Sequence, residues 1–104
     1  MFATVRRYEG VDSSKVDELT KRVGESLAPK LSKLPGFSSY FLIDTGNGVM
    51  SSIGLFETST QADESTRVAS EWVRDEKLEN VLQNPPKVTD GEVIVHKTMN
   101  GIKA

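Results

Sequence analysis

Apolar side chains occupy both faces of the predicted β-strands in this 104-residue chain. Successive residues of a strand point to opposite faces, so a sheet with one solvated face alternates between apolar and polar residues. One predicted strand instead carries apolar residues on one face at Phe37, Phe41 and Ile43, and on the other face at Tyr40 and Leu42. A sheet of such strands needs cover on both faces, and this requirement limits the folds open to the chain.

Turn-forming residues divide the chain into four strands and two helices. The strands are rich in β-branched and aromatic residues and are predicted at Phe2–Tyr8, Phe37–Asp44, Val49–Glu57 and Glu92–Lys97. Gly46-Asn47-Gly48 supplies the positive φ angles of a tight hairpin between the second and third strands. Apolar residues occupy both faces of the third strand too, and in the fourth Val93 and Val95 lie opposite Ile94.

Two amphipathic helices are predicted between these strands. The first has an apolar stripe with gaps of three and four residues, formed by Val16, Leu19, Val23, Leu27, Leu31 and Leu34. Pro29 is expected to kink this helix, because proline lacks the N–H and crowds the carbonyl of Glu25. Pro35-Gly36 is expected to end it. The second helix starts near Thr58 and has a thinner stripe, formed by Ala62, Ala69, Trp72 and Val73.

The order strand-helix-strand-strand-helix-strand is that of a ferredoxin-like α+β sandwich, in which both helices cover one face of an antiparallel sheet. The other face would then expose its apolar residues. A second copy of the chain is the simplest cover, because two-fold pairing is the commonest symmetry of oligomers. Burying roughly 300 Å² of apolar surface per subunit contributes about 7 kcal/mol before association costs. A homodimer is therefore predicted, and a monomer with an unusually apolar sheet face is the alternative.

Composition excludes several classes of protein. Acidic residues outnumber basic ones by 15 to 13 and the pI is about 5.4, so no nucleic-acid partner is predicted. The chain has no cysteine, which removes thiolate metal sites and cysteine nucleophiles. No apolar run approaches the ~20 residues of a membrane span, and the first residues show no signal-peptide pattern. We expect a cytoplasmic protein without a metal or a cofactor and without a membrane partner.

Five short stretches form a recognisable pattern: Leu34-Pro35-Gly36-Phe37, Tyr40–Asp44, Phe56-Glu57-Thr58, Glu71-Trp72-Val73 and Gly91–His96. This pattern resembles that of dimeric α+β barrel proteins, specifically the antibiotic biosynthesis monooxygenase-like group. The resemblance implies one domain over residues 1–97 and a C-terminal tail over residues 98–104. The group includes cofactor-free quinone-forming oxygenases, haem-degrading enzymes and members without a known activity. Haem-degrading relatives place a histidine on or near the second helix, and this second helix has none.

Four residues are candidates for lining a ligand pocket: Arg6, Tyr40, Trp72 and His96. His96 is the only histidine, and it is either a proton acceptor or an ordinary half-exposed strand residue. Trp72 is either a pocket wall that stacks on a flat ligand or part of the core. Arg6 shares a strand face with Tyr8. If that face is covered, Arg6 needs an acidic partner or a ligand anion.

Small residues of the second helix indicate where a cavity would form. Ser65, Thr66 and Ala69 are expected opposite Gly54 of the third strand, where they leave room for a ligand. The acidic residues are scattered over predicted helix surfaces and termini, without the paired spacing of an acid–base or metal site. The sequence therefore assigns no catalytic residue.

Three hypotheses of function follow from these features. The first is a cofactor-independent monooxygenase-like enzyme that acts on an aromatic or quinone-like small molecule. The second is a non-catalytic binding or sensing module for a hydrophobic metabolite. The third is a scaffold with a filled interior and no ligand. The sequence lacks the dense constellation of polar residues at fixed spacing that would distinguish them.

Overall fold

Four strands form one sheet in the computed structural model, which describes residues 1–99. They are β1 (Phe2–Tyr8), β2 (Phe37–Gly46), β3 (Val49–Phe56) and β4 (Lys87–Glu92). Their order across the sheet is β2-β3-β1-β4, and every neighbouring pair is antiparallel. The helices pack against one face of the sheet and enclose the core there. The predicted ferredoxin-like α+β fold, with both helical regions on one face, is confirmed.

The first helical region consists of three consecutive segments. The helix α1 (Val16–Arg22) continues into a π-helical segment (Val23–Leu27), and α2 (Ala28–Ser32) follows it. Pro29 lies in the first turn of α2, where a missing N–H costs least. The interruption predicted at Pro29 is confirmed, and it takes the form of a π-helical segment just before the proline.

The core residues of this region recur at every fourth position, as Leu19, Val23, Leu27 and Leu31. On a helix of 3.6 residues per turn, each step of four residues drifts by about 40° around the axis. A π turn holds more residues than an α turn, so it reduces this drift. The π-helical segment therefore keeps the four side chains directed at the sheet.

The second helical region is one helix, α3 (Ser59–Asp75), capped by Thr58. The Thr58 hydroxyl accepts a hydrogen bond from the Gln61 amide nitrogen at 3.2 Å, and the Gln61 side-chain oxygen accepts one from the Thr58 amide nitrogen at 3.1 Å. This reciprocal pair is a capping box. The helix buries one face, formed by Ala62, Ser65, Val68, Ala69 and Trp72.

The predicted fourth strand, Glu92–Lys97, is wrong, because β4 ends where that prediction begins. Lys87 to Glu92 pair with Arg7 to Phe2 of β1, and a last hydrogen bond joins the Val93 amide nitrogen to the Met1 carbonyl at 2.9 Å. Asp90-Gly91 has the composition of a turn, but pairing with β1 holds it in a strand. The predicted C-terminal tail, residues 98–104, lies outside the described residues from position 100 onward.

The predicted grouping of Phe37 with Phe41 and Ile43 on one face is wrong, because Phe37 lies on the helix-facing side of the sheet. The pairing of β2 with β3 shifts by one residue between Phe37 and Ser39, and such a bulge reverses the alternation of faces. Phe37 consequently meets the buried ring of Phe56 edge-on, with 5.7 Å between the ring centroids. The other predicted faces of β2 and β3 are confirmed.

The sheet face away from the helices is apolar. Phe41 is 51% exposed and Ile43 is 40% exposed on that face of β2. Half-buried apolar side chains continue the surface across β1 and β3, at Val5, Val49, Ile53 and Leu55. We call this surface the open face. Beyond β4, the side chains of Ile94 and Val95 are also exposed.

Two glycines with positive φ provide a matched test of the packing around α3. A Cβ at Gly36 (φ +77°) would overlap the Gln61 side chain, whereas a Cβ at Gly46 (φ +88°) would meet no atom within 4 Å. Gly46→Ala should lower the free energy of unfolding by about 1 kcal/mol. Gly36→Ala should lower it by at least about 2 kcal/mol, because a steric clash adds to the same backbone cost. If urea unfolding shows the same loss of free energy of unfolding for both variants, the clash with Gln61 adds no cost.

Candidate functional site

The strand β1 buries Arg6 between the sheet and the helices. Arg6 and Thr4 lie on the helix-facing side of β1, whereas Arg7 points to the opposite side and is exposed. The exposed fraction of Arg6 is 1%. Its Nη1 donates a hydrogen bond to Thr66 Oγ1 of α3 at 3.1 Å, and Thr4 Oγ1 lies 3.2 Å from the same oxygen. The helices thus cover the face of β1 that carries Arg6, which is the condition under which Arg6 needs an acidic partner or a ligand anion.

Arg6 has no acidic partner in the part of the chain that the structure describes. No carboxylate of residues 1–99 lies within 4.0 Å of its guanidinium, and its buried Nε has no hydrogen-bond acceptor there. Ser52 faces Arg6 across the β1–β3 pairing, and its buried Oγ also has no hydrogen-bond partner among these residues. Two polar groups side by side in the interior are thus left unsatisfied, one of them on a cationic side chain.

A cavity adjoins these two groups. It is partly enclosed and has a volume of about 20 Å³, which is room for about one water molecule. Its polar lining comes from Arg6, Tyr8, Tyr40 and Ser52, and the rest is apolar, formed by Leu19, Val23, Leu27, Leu42, Met50, Trp72, Val73 and Leu82. The cavity is therefore an apolar chamber with a polar end that includes one cation.

Two larger clefts share walls with this chamber. One of about 310 Å³ lies between the π-helical segment and β2, and it shares Val23, Tyr40, Leu42 and Met50 with the chamber. The other, of about 270 Å³, lies beside the turn before β4 and shares Tyr8, Val73 and Leu82. A cleft of about 310 Å³ approaches the size of ordinary small-molecule sites.

Trp72 is both a core residue and a wall of the chamber. It is buried in α3, and its indole Nε1 donates a hydrogen bond to Ser26 Oγ at 2.9 Å. Ser26 belongs to the π-helical segment. This bond satisfies the only polar atom of the indole, so the ring can present an apolar surface to the chamber. Trp72 therefore belongs to the core and also borders the chamber, and its stacking on a flat ligand stays a prediction.

Both tyrosines of the chain line the chamber. Burial raises the pKa of the Tyr8 and Tyr40 hydroxyls above their ordinary value, and the nearby Arg6 guanidinium only partly offsets that rise. Within residues 1–99, no hydrogen bond of 3.5 Å or less joins either hydroxyl to Arg6. Both side chains therefore stay neutral near pH 7, when each can donate a hydrogen bond to an oxygen acceptor.

Of the four candidate pocket residues, the structure brings Arg6, Tyr40 and Trp72 together. His96 lies beyond β4 on an exposed stretch and does not line the chamber. The room predicted opposite Gly54 is filled, because Phe56 and Thr4 would contact a Cβ at that position at 3.2 and 3.4 Å. The space lies further along α3, beside Trp72.

Tyr8 and Ser52 line the chamber but were not among the four candidates predicted from the sequence. Tyr8 follows Arg6 by two residues, which is the spacing of one strand face, and this signal was present in the sequence. Ser52 carries no such signal, because its place beside Arg6 depends on the register of β1 against β3. Register is a long-range property that a local pattern does not fix.

Comparison with solved structures supports the fold reached above. A protein from Nitrosomonas europaea assigned to the antibiotic biosynthesis monooxygenases matches at 13% identity, with a TM-score of 0.71, over 91% of this chain and 100% of its own. A monooxygenase from the ActVA-Orf6 gene of Streptomyces coelicolor, solved with nanaomycin D, matches at 16% identity and a TM-score of 0.70, over 94% and 91%. The haem degrader MhuD of Mycobacterium tuberculosis, solved with two haems in its active site, matches at 17% identity and a TM-score of 0.72, over 94% and 100%.

At these identities the likeness shows the fold alone. The chain has the fold of antibiotic biosynthesis monooxygenase-like proteins, as the sequence resemblance predicted. No protein-family model matches the chain, and no curated protein matches it. Across residues 1–99, no helix has the length and apolar character needed to cross a bilayer.

The side chains of this chain do not fit haem in the way that a histidine-ligated site requires. Helix α3 contains no histidine, and the only histidine, His96, is exposed beyond β4. No cluster of three or more histidine, aspartate or glutamate residues suited to a metal ion occurs within residues 1–99. Helix α3 therefore offers no axial histidine to a haem.

The absorbance of the tyrosinate form near 295 nm tests the environment of the chamber. Because Tyr8 and Tyr40 are the only tyrosines, every change in this signal comes from the site. In the folded protein both should ionise above about pH 10, the value expected for the urea-unfolded chain. Their raised pKa implies that the associated stability is complete below about pH 10 and is lost as pH rises through the native pKa. Tyr8→Phe should remove about half of the signal, and titration at the unfolded value would contradict the buried geometry.

Proposed function

We propose that this chain is a cofactor-independent monooxygenase-like enzyme that acts on a small aromatic or quinone-like compound in the chamber beside Trp72. The unpaired Arg6 carries the proposal, because a scaffold with a filled interior has no use for a buried cation without a partner. The apolar lining suits a flat ring system, and the neutral hydroxyls of Tyr8 and Tyr40 suit its oxygen atoms. The fold shared with monooxygenases supports the same reaction class.

The reaction needs an electron-rich substrate and dioxygen. In an anthrone-like compound, dioxygen converts a methylene between two rings into a carbonyl, and its second oxygen atom leaves with both methylene hydrogens as water. The substrate supplies all the electrons, so no redox cofactor takes part. The protein's share is to bind the ring system, exclude water and stabilise negative charge on the substrate oxygen, for which Arg6 is the cation at hand.

A ligand must displace side chains to reach Arg6. The chamber holds about 20 Å³, and the cleft of about 310 Å³ lies on the other side of its wall. The hypothesis of a scaffold with a filled interior predicts a small chamber. It does not explain the unsatisfied polar atoms of Arg6 and Ser52. We infer that the chamber and this cleft together form the binding site.

The protein is proposed to act as a homodimer that pairs through the open face. Helices cover only the other face of the sheet, and Phe41 and Ile43 are exposed on this one. The stretch after β4 supports a second copy as the partner, since it places Ile94 and Val95 in solvent beyond the end of its pairing with β1. An apolar, β-branched stretch without a neighbour is suited to a sheet edge of another subunit. Location in the cytoplasm remains a prediction.

Sedimentation of a charged variant tests the dimer. The wild-type protein should sediment at twice the chain mass of 11.4 kDa at low micromolar concentration, and Phe41→Glu should sediment as a monomer, because it buries an unpaired charge in the interface. Thr60→Glu adds the same charge to an exposed position at the start of α3 and should leave the dimer intact. A folded wild-type monomer would rule out this interface.

Oxygen uptake tests the enzyme. The purified protein should consume dioxygen with at least one member of a panel of hydroquinones and anthrones, faster than buffer alone. Arg6→Met should lower kcat/KM for that substrate by about 10-fold or more, as expected for the loss of one charge-assisted hydrogen bond. Arg74→Met removes an exposed arginine of α3 that lines neither the chamber nor the open face, and it should have no effect. Uptake equal to buffer across the panel would exclude this activity.

The second candidate is a non-catalytic binding module for a hydrophobic metabolite. It is favoured by the lining of the chamber, in which the described residues include no carboxylate and no imidazole that could act as a base. Native mass spectrometry of protein taken from cells should then show a retained small molecule without turnover of any substrate in the panel.

A further inference from the structure

We propose that Arg6 is an anion-binding residue and that the ligand of this chamber is an aromatic compound bearing an anionic oxygen, as a carboxylate or an ionised phenol. This inference rests on the proposed function, since it places the ligand in the same chamber. Beyond the proposed function, it specifies the charge of the ligand, the residue that binds the charged group and the ionisation state in which the ligand binds.

The first argument is the cost of a buried cation. Arg6 is 1% exposed, and moving a charge out of water is unfavourable unless a counter-charge accompanies it. A single water in the chamber could accept hydrogen bonds from Nε, but a water carries no charge. The hydroxyl of Thr66 is likewise neutral. A ligand anion supplies both the acceptor and the counter-charge.

The second argument comes from the other arginines of the chain. Three of the other four, Arg7, Arg22 and Arg67, are partly exposed, and each has a carboxylate within 4.0 Å, on Glu9, Glu76 and Glu64 respectively. The fourth, Arg74, is exposed to water and has no such partner among residues 1–99. The chain thus pairs three arginines at positions where an ion pair contributes least. It leaves Arg6 unpaired at the position where a partner matters most. With 15 acidic residues in the chain, a shortage of carboxylates does not account for this.

The third argument is the arrangement of donors at the polar end. Arg6 and Ser52 face each other across β1 and β3, and both have an unsatisfied buried atom, Nε and Oγ. The hydroxyls of Tyr8 and Tyr40 line the same chamber. Burial raises the pKa of both tyrosines, so they keep their protons for donation. One cation and three hydroxyl donors around one space are suited to an oxyanion.

The remaining lining defines the rest of the ligand. Trp72, Leu27 and Met50 provide apolar surface away from Arg6, and this surface is suited to the body of an aromatic ring. The described lining of the chamber holds no carboxylate or imidazole, and the carboxylate that lines the adjoining cleft, Asp44, accepts a hydrogen bond from the Gly46 amide nitrogen at 2.9 Å. The ligand must therefore bind already ionised, or lose its proton to water as the Arg6 charge lowers its pKa.

Matched ligand pairs test the inference by calorimetry and thermal denaturation. We use benzoate with benzamide, 2-naphthoate with 2-naphthamide, and anthracene-2-carboxylate with its carboxamide, since each pair differs in charge and little in shape. At least one acid should bind the wild-type protein about 10- to 100-fold more tightly than its amide and raise the melting temperature. Chloride and phosphate at the same concentration should not raise it.

Variants identify the residue that reads the charge. Arg6→Met and Arg6→Gln should each abolish the preference for the acid and leave the weaker binding of the amide unchanged, whereas Arg74→Met, at an exposed position of α3, should keep the preference. Arg6→Met should also unfold at the same urea concentration as the wild type or at a higher one, because it removes an unpaired buried charge. A structural arginine would give the opposite shift, and Arg6→Gln serves if Arg6→Met does not fold.

Each result separates this inference from the proposed function. If acid and amide bind equally and Arg6→Gln changes neither affinity, Arg6 reads no charge, and the chamber remains an aromatic site. If phosphate or chloride stabilises the protein as well as the acids do, the site binds inorganic anions and the aromatic assignment is wrong. If no member of any pair binds, the anion site is wrong, and the oxygen-uptake panel alone decides the proposed function.

Discussion

The interior of this protein is organised around one buried charge. Arg6 has a single hydrogen bond of 3.5 Å or less to a described side chain, the one to Thr66, and no carboxylate of residues 1–99 lies within 4.0 Å of its guanidinium. Polar groups surround it. They are the Thr66 hydroxyl of α3, Ser52 on the neighbouring strand, and the buried tyrosines Tyr8 and Tyr40, which stay protonated. Replacing these groups with apolar side chains would give a more ordinary core. A chain that keeps them accepts lower stability in exchange for a polar site within an apolar layer.

The sheet has a second unmet requirement, on its other side. The helices cover the face that carries Arg6, whereas Phe41 and Ile43 of the open face are exposed to solvent. These two requirements are independent, because the backbone of one sheet separates them. A ligand can supply a counter-charge to Arg6 without a partner subunit, and a partner subunit can cover the open face without a ligand. The fold couples them through β1, β2 and β3, whose alternate residues serve the two faces.

Local patterns predicted most of this fold, and long-range pairing determined what they missed. The stripe from Leu19 to Leu31 and the turn residues around Asn47 each act within a few positions, so the sequence shows them directly. The error at β4 arose because pairing with β1 holds Asp90-Gly91 in a strand despite its turn-like composition. The bulge that turns Phe37 inward also depends on a neighbouring strand. The same limit applied to the site, where Arg6, Tyr40 and Trp72 were predicted and Ser52 was not.

The π-helical segment lies between the two spaces that a ligand would have to join. Val23 borders both the chamber and the cleft of about 310 Å³, and Gly24 presents no side chain to that cleft. Ser26 of the same segment holds the Trp72 indole, so the segment contacts the chamber from two sides. A π turn is a less favourable arrangement than an α turn and is frequent at functional sites. Part of the chamber wall is therefore built from the least regular part of the helical layer, and a rearrangement there would also move Ser26, the hydrogen-bond partner of Trp72 in α3.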